Sequence, residues 1–119
     1  MAQSEHVNYS LEKLIGFVGD DPEAIKNMVN LFLNTTPSLL NAIIASFQEG
    51  SPEILAKSAH TLKPTLDVFG IRDTYDLIRN IEQKAKRSEL DEAMDKQIKQ
   101  LTHTLELVFQ ELKLDFNLP

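Results

Sequence analysis

His60, with Lys57 one helical turn before it and Lys63 one turn after, is the place where residue types and spacing in this chain suit chemistry. A neutral imidazole is a nucleophile toward phosphorus at neutral pH, and the N–P bond it forms stays reactive enough to hand the group on. Phosphoryl transfer spreads negative charge over three equatorial oxygens, so an ammonium on the same face would stabilise it. Lys63 is placed for that task, and Lys57 is the weaker candidate. Geometry alone does not separate this reading from a surface histidine between two surface lysines.

The element that must position His60 reads as an amphipathic helix. Ser51 is expected to cap it and Pro52 to open it, and Leu55, Ala59, Leu62, Leu66 and Phe69 recur at helical spacing up to Gly70. That stripe is the buried one. His60 lies roughly 135° from its centre and therefore points outward, on a face shared with Lys57, Lys63, Pro64 and Asp67.

Around this helix the chain reads as all-α, with its few glycines and prolines acting as punctuation. Residues 1–8 are polar and expected to be loose. Ser10 is expected to cap a short helix carrying Leu11, Leu14, Ile15 and Val18, ended by Gly19. Asp20 or Asp21 then caps a long helix opening with Pro22 and Glu23. Its core face runs Ile25, Met28, Val29, Phe32, Thr36, Leu39, Leu40, Ile43 and Phe47, ending at Glu49-Gly50. Pro37 interrupts the run, but the apolar phase survives across it, which favours one kinked helix over two. After the His60 helix, another is expected from about Asp73 to Arg87, with Ile71, Tyr75, Ile78, Ile81 and Ala85 inward and Lys84, Lys86 and Arg87 in its last turn. A last helix is expected from Ser88 or Glu89, carrying Leu90, Met94, Ile98, Leu101, Leu105, Val108 and Leu112. The tail from Leu114 to Pro119 is apolar enough to fold back, although 115–119 are expected to be loosely ordered. Long helices with one apolar face each and short connections predict an up-down four-helix bundle plus a short N-terminal helix, one domain over 1–119.

Composition narrows the function classes. The chain has 119 residues and no cysteine, which excludes disulfides and thiolate sites, and a net charge of -6 argues against a nucleic-acid surface. No glycine-rich phosphate loop exists, so an ATP site of its own is not expected. His6, His60 and His103 lie far apart with no metal-ligand spacing, so no metal is expected; His103 falls off the buried stripe and reads as a surface residue. Glu82, Glu89, Asp91 and Glu92 are expected on solvated faces. No stretch is expected to reach the length of a membrane span, no export signal is visible at Met1 to Asn8, and a cytoplasmic location is the default.

Ala59-His60-Thr61-Leu62-Lys63, followed by Phe69-Gly70 and by Ile81-Glu82-Gln83-Lys84-Ala85-Lys86, resembles the histidine-containing phosphotransfer (HPt) domain family. Gly19-Asp20-Asp21-Pro22-Glu23 and the run from Phe32-Leu33 to Leu39-Leu40 extend the resemblance over nearly the whole chain. It implies a helical bundle in which His60 accepts a phosphoryl group from a receiver-domain aspartate and passes it to another receiver, within a phosphorelay fed by a hybrid sensor histidine kinase. It also implies that the receiver brings the Mg²⁺ and most catalytic groups, so the chain is a phosphoryl carrier more than an enzyme and holds no stable cofactor. Lys57, Thr61, Pro64 and Asp67 then belong to the docking face of a monomer.

Four residues, Pro64, Thr65, Leu66 and Asp67, depart from the family pattern. Pro64 stands where glycine is usual, removing the N–H that would bond the His60 carbonyl at a cost of about 3 kcal/mol in an ordinary helix; a kink beside His60 is expected. Asp67 stands where a small residue is usual, and either pairs with Lys63 or repels an incoming phosphoryl group. A phosphotransfer-inactive helical adaptor that binds a receiver or partner helix is the alternative these departures keep open.

Overall fold

The computed structural model describes residues 8–119, in which five α-helices and one 3-10 turn account for all the regular structure. The helices are α1 (Glu12–Val18), α2 (Pro22–Glu49), α3 (Pro52–Val68), α4 (Tyr75–Lys86) and α5 (Glu92–Asp115), with the 3-10 turn at Arg72–Thr74. The expected all-α class is what the structure shows. Residues 1–7, with His6 and most of the segment expected to be loose, lie outside the described residues.

Why α3 stands as it does follows from its apolar stripe. Leu55, Ala59, Leu62 and Leu66 are all 0% exposed. Rotating α3 to bury His60 would expose leucines worth about 1.5–3 kcal/mol each in burial, so the histidine stays outside. α2 packs against α3, α3 against α4, α4 against α5, and α5 back against α2, closing a ring around one core; α1 lies on α2. Phe32 of α2 stacks on Phe69 just past α3 at 4.3 Å between centroids and meets Phe109 of α5 edge-on at 5.7 Å. These aromatics tie the end of α3 to α2, and α2 to α5.

Helix starts partly follow expectation. The Asp21 side chain caps α2 by accepting from the Glu23 N–H, with Pro22 at the first helical position. Ser51 precedes α3 but its hydroxyl makes no capping bond, and Leu11, not Ser10, sits at the start of α1. The last helix starts later than expected. Asp91 caps it through the Met94 N–H at 2.9 Å, and the same Oδ1 takes the Lys84 ammonium at 2.7 Å, which couples the end of α4 to the start of α5. α2 is one helix across Pro37, and α3 continues past Pro64 to Val68. The tail does fold back: Phe116 and Leu118 pack on the core, and the Leu118 N–H bonds the Lys113 carbonyl. At the other end Asn8, expected to be loose, donates to the Glu111 carboxylate through its backbone and side chain.

One expectation about length is overturned. α2 is long and apolar enough to cross a membrane, with a mean hydropathy of 1.2 over an 18-residue window. The expectation undervalued how apolar this 28-residue helix is. Here its stripe of Ile25, Val29, Phe32, Leu40 and Ile43 is spent on the core.

The α3 to α4 connection is the joint that matters most for the site. After Val68 the Gly70 N–H bonds the Asp67 carbonyl and the Ile71 N–H bonds the Leu66 carbonyl, a Schellman stop with Gly70 at φ 60°. Above it, the Ser10 N–H bonds the Phe69 carbonyl at 2.9 Å, and a Cβ on Gly70 would stand 2.7 Å from the Ser10 Cβ and 2.9 Å from its carbonyl oxygen. Gly50 ends α2 with the same handedness, φ 70°, in open space. Gly50→Ala therefore carries only the left-handed penalty, about 1 kcal/mol, whereas Gly70→Ala adds an overpacking cost of about 1–3 kcal/mol. Urea unfolding of the two variants should rank them in that order, and equal midpoints would show that the segment before α1 does not clamp this turn.

Candidate functional site

His60 lies about two turns before the end of α3, and Glu82 about two turns after the start of α4. The short joint at Gly70 turns α4 back along α3, and this register brings the two residues level. The His60 Nδ1 is 2.8 Å from Glu82 Oε2, the Lys63 Nζ donates to Glu82 Oε1 at 2.6 Å, and the Lys86 Nζ lies 3.3 Å from Oε2. Lys86 follows Glu82 by four residues, the favourable order for a helical ion pair. The carboxylate side chain is 3% exposed while the imidazole is 69% exposed. One buried anion thus holds an exposed ring and two ammonium groups.

Burial alone would raise the Glu82 pKa. The hydrogen bonds from Lys63, His60 and Lys86 outweigh that and hold it at about 2. At neutral pH Glu82 is therefore ionised and can only accept. In the neutral ring the proton shared with Glu82 then sits on Nδ1, and Nε2 carries the lone pair. That is the tautomer and orientation an imidazole nucleophile requires.

Glu82 was expected on a solvated face, and the structure corrects this. The error was one of phase. Glu82 follows Ile78 by four residues and precedes Ala85 by three, and Ile78, Ile81 and Ala85 are all buried, so Glu82 belongs to the inward stripe of α4. Reading that stripe with the charge of each position left aside would have found it.

The remaining expected site residues divide. Lys63, Pro64 and Asp67 share with His60 a groove of about 450 Å³ between α3 and α4, which Tyr75, Ile78 and Arg79 complete. Lys57 and Thr61 are exposed but do not line it, and the Thr61 hydroxyl is turned back onto the Lys57 carbonyl at 3.0 Å. Asp67 does not pair with Lys63. Both its carboxylate oxygens take the Lys13 ammonium, at 2.7 and 2.8 Å, and its backbone carbonyl accepts from the Tyr75 hydroxyl at 3.3 Å. Lys63 is drawn to Glu82 because that buried anion has no solvent to share its charge with, whereas Asp67 is half exposed. Pro64 is exposed and also borders a smaller, apolar hollow against α2, lined by Met28, Leu31 and Val68. His103 is exposed, as expected.

The depressed Glu82 pKa gives a pH test of this cluster. A carboxylate at about 2 in the fold and about 4.5 when unfolded contributes stability above pH 4.5 that is lost as pH falls toward 2. Relative to the native chain, Glu82→Gln should lose on the order of 3 kcal/mol at pH 7, with the gap closing between pH 4.5 and 2. Denaturant midpoints of both proteins across that range measure it; a gap independent of pH would place the cost in packing rather than charge.

Comparison with known proteins gives one finding. No match was found among curated proteins, and none among solved structures. The family model of the Hpt domain matches residues 27–113, which takes in most of α2, all of α3 and α4, and nearly all of α5, with His60, Lys63, Glu82 and Lys86 inside the match. The chain belongs to the Hpt domain family, whose members are phosphocarrier modules of two-component signalling.

Proposed function

We propose that this chain is a phosphorelay intermediate that accepts a phosphoryl group on His60 Nε2 from a receiver-domain aspartate and passes it to a second receiver. The observation that carries the reading is the bond from Nδ1 to the buried Glu82, which leaves Nε2 facing solvent on a mostly exposed ring.

In the forward step the Nε2 lone pair attacks phosphorus, the N–P bond forms, and the P–O bond of the aspartyl phosphate breaks with both electrons leaving on the carboxylate. The ring becomes a phosphorylated imidazolium, and its new positive charge lies against Glu82 through the Nδ1–H. Glu82 therefore stabilises a charge that appears only as transfer proceeds. Lys63 and Lys86 hold Glu82 ionised and in place, and Lys63 keeps its edge toward the groove. Return transfer reverses each bond change, so direction is set by the partners.

The chain brings a nucleophile and its support but no ATP site, and the receiver supplies Mg²⁺ and the remaining catalytic groups. Helices α2 to α5 form the up-down four-helix bundle of this reading and α1 the short extra helix. Receivers and a hybrid sensor kinase are the partners, docking over α3 around Pro64, with Lys57 and Thr61 at the rim, in the cytoplasm.

Incubation with a phosphorylated receiver and Mg²⁺ tests the proposal. His60 should take up acid-labile, alkali-stable phosphate, His60→Gln should fold and carry none, and Lys63→Ala should slow uptake about three- to tenfold. Absence of label on His60 across cognate receivers overturns the reading, and binding that survives His60→Ala without any transfer identifies an adaptor instead.

A further inference from the structure

We infer that Arg79 is a phosphoryl-holding residue: its guanidinium, across the α3 to α4 groove from His60, receives the group carried on Nε2. The inference rests on the relay reading above and adds a residue to it.

The argument is one of charge left uncommitted. Two cations line the groove, Lys63 and Arg79. The Lys63 ammonium is committed to Glu82 Oε1 at 2.6 Å, and Lys86, at 3.3 Å from Oε2, is engaged by the same carboxylate. Arg79 is exposed and makes no hydrogen bond or ion pair within the described residues. Glu82 is one turn away on α4, but both its oxygens are already taken by His60 and the two lysines. Asp76, one turn the other way, does not hold it either.

The groove's own anion has been cancelled. Asp67 would face an arriving phosphoryl group with a negative charge, yet Lys13 of α1 caps both its oxygens. The titratable groups around the phosphoryl position are then His60, Lys63 and Asp67 from α3, Tyr75, Arg79, Glu82 and Lys86 from α4, and Lys13 from α1. Glu82 with its two lysines and the Lys13–Asp67 pair sum to a single positive charge, the phosphorylated ring carries a second that lies against Glu82 through its Nδ1–H, and the phosphoryl oxygens carry about two negative ones. Of the two cations that line the groove, Arg79 is the one with its donors left to meet those oxygens directly. Its planar fork offers two parallel N–H donors to two phosphoryl oxygens, a geometry an ammonium cannot match.

Arg79→Gln and Arg79→Lys test the assignment in the full chain. Arg79→Gln should slow phosphoryl transfer from a saturating phosphorylated receiver about five- to tenfold, with Arg79→Lys in between. A second measurement needs no receiver: in the isolated phosphorylated chain, the ³¹P titration midpoint of the phosphohistidine should rise by about half a unit in Arg79→Gln, because a cation beside the group favours its dianion. A wild-type chain that takes no label overturns the relay reading and this inference with it. A wild-type chain that labels normally, while Arg79→Gln leaves the ³¹P midpoint unmoved and alters only the receiver concentration needed for half-maximal rate, overturns the Arg79 assignment alone and makes Arg79 a receiver contact.

Discussion

A carboxylate with almost no exposure must have its charge met by donors on the spot, and Glu82 is met by three. That requirement orders the neighbourhood. His60 is bound through one nitrogen and thereby turned so that the other faces out, Lys63 is drawn across from α3, and Lys86 leans back along its own helix. Each of these side chains is long or exposed enough to wander on the surface. The buried anion is what gives each a defined place, so the geometry around His60 depends on a residue that solvent hardly reaches.

The anion can do this only if α3 and α4 are level with one another, and that register is set at the joint between them. Gly70 takes the left-handed conformation that stops α3, and Ser10 closes over it so tightly that no side chain fits. Phe69 beside it is stacked on Phe32 of α2. A shift of α4 by one residue along α3 would move Glu82 by about 1.5 Å and rotate it by about 100°, out of reach of His60. Packing at the far end of the hairpin is thus a condition for the hydrogen bond at its middle.

Much of this could be read in the sequence because it follows from periodicity and punctuation. The outward position of His60 came from Leu55, Ala59, Leu62 and Leu66, and the core of α5 from its regular leucines. What could not be read is what depends on which helices touch. Glu82 sits in the apolar stripe of α4, and only the facing His60 and Lys63 explain why an acid is tolerated there. Asp67 was weighed against Lys63, its neighbour along the helix, while its actual partner, Lys13, is more than fifty positions away and reaches it from α1. Sequence spacing proposes partners within one helix, and an ion pair between helices is outside its reach.

Pro64 shows how the two kinds of information combine. It removes the helical hydrogen bond to the His60 carbonyl, and an isolated helix would break or bend there. Here α3 carries on for another turn, because tertiary bonds straddle the proline. His60 and Lys63 before it are tied to Glu82, and Asp67 after it is tied to Lys13 and Tyr75. Leu62 and Leu66, on either side of it, are fully buried. The direction of α3 past His60 is therefore set by α1 and α4 rather than by its own backbone ladder. The same contacts also neutralise Asp67 and fix the imidazole. Removing the proline would return one backbone bond to α3 without altering any of these tethers, so Pro64 shapes the exposed wall of the groove more than the posture of His60.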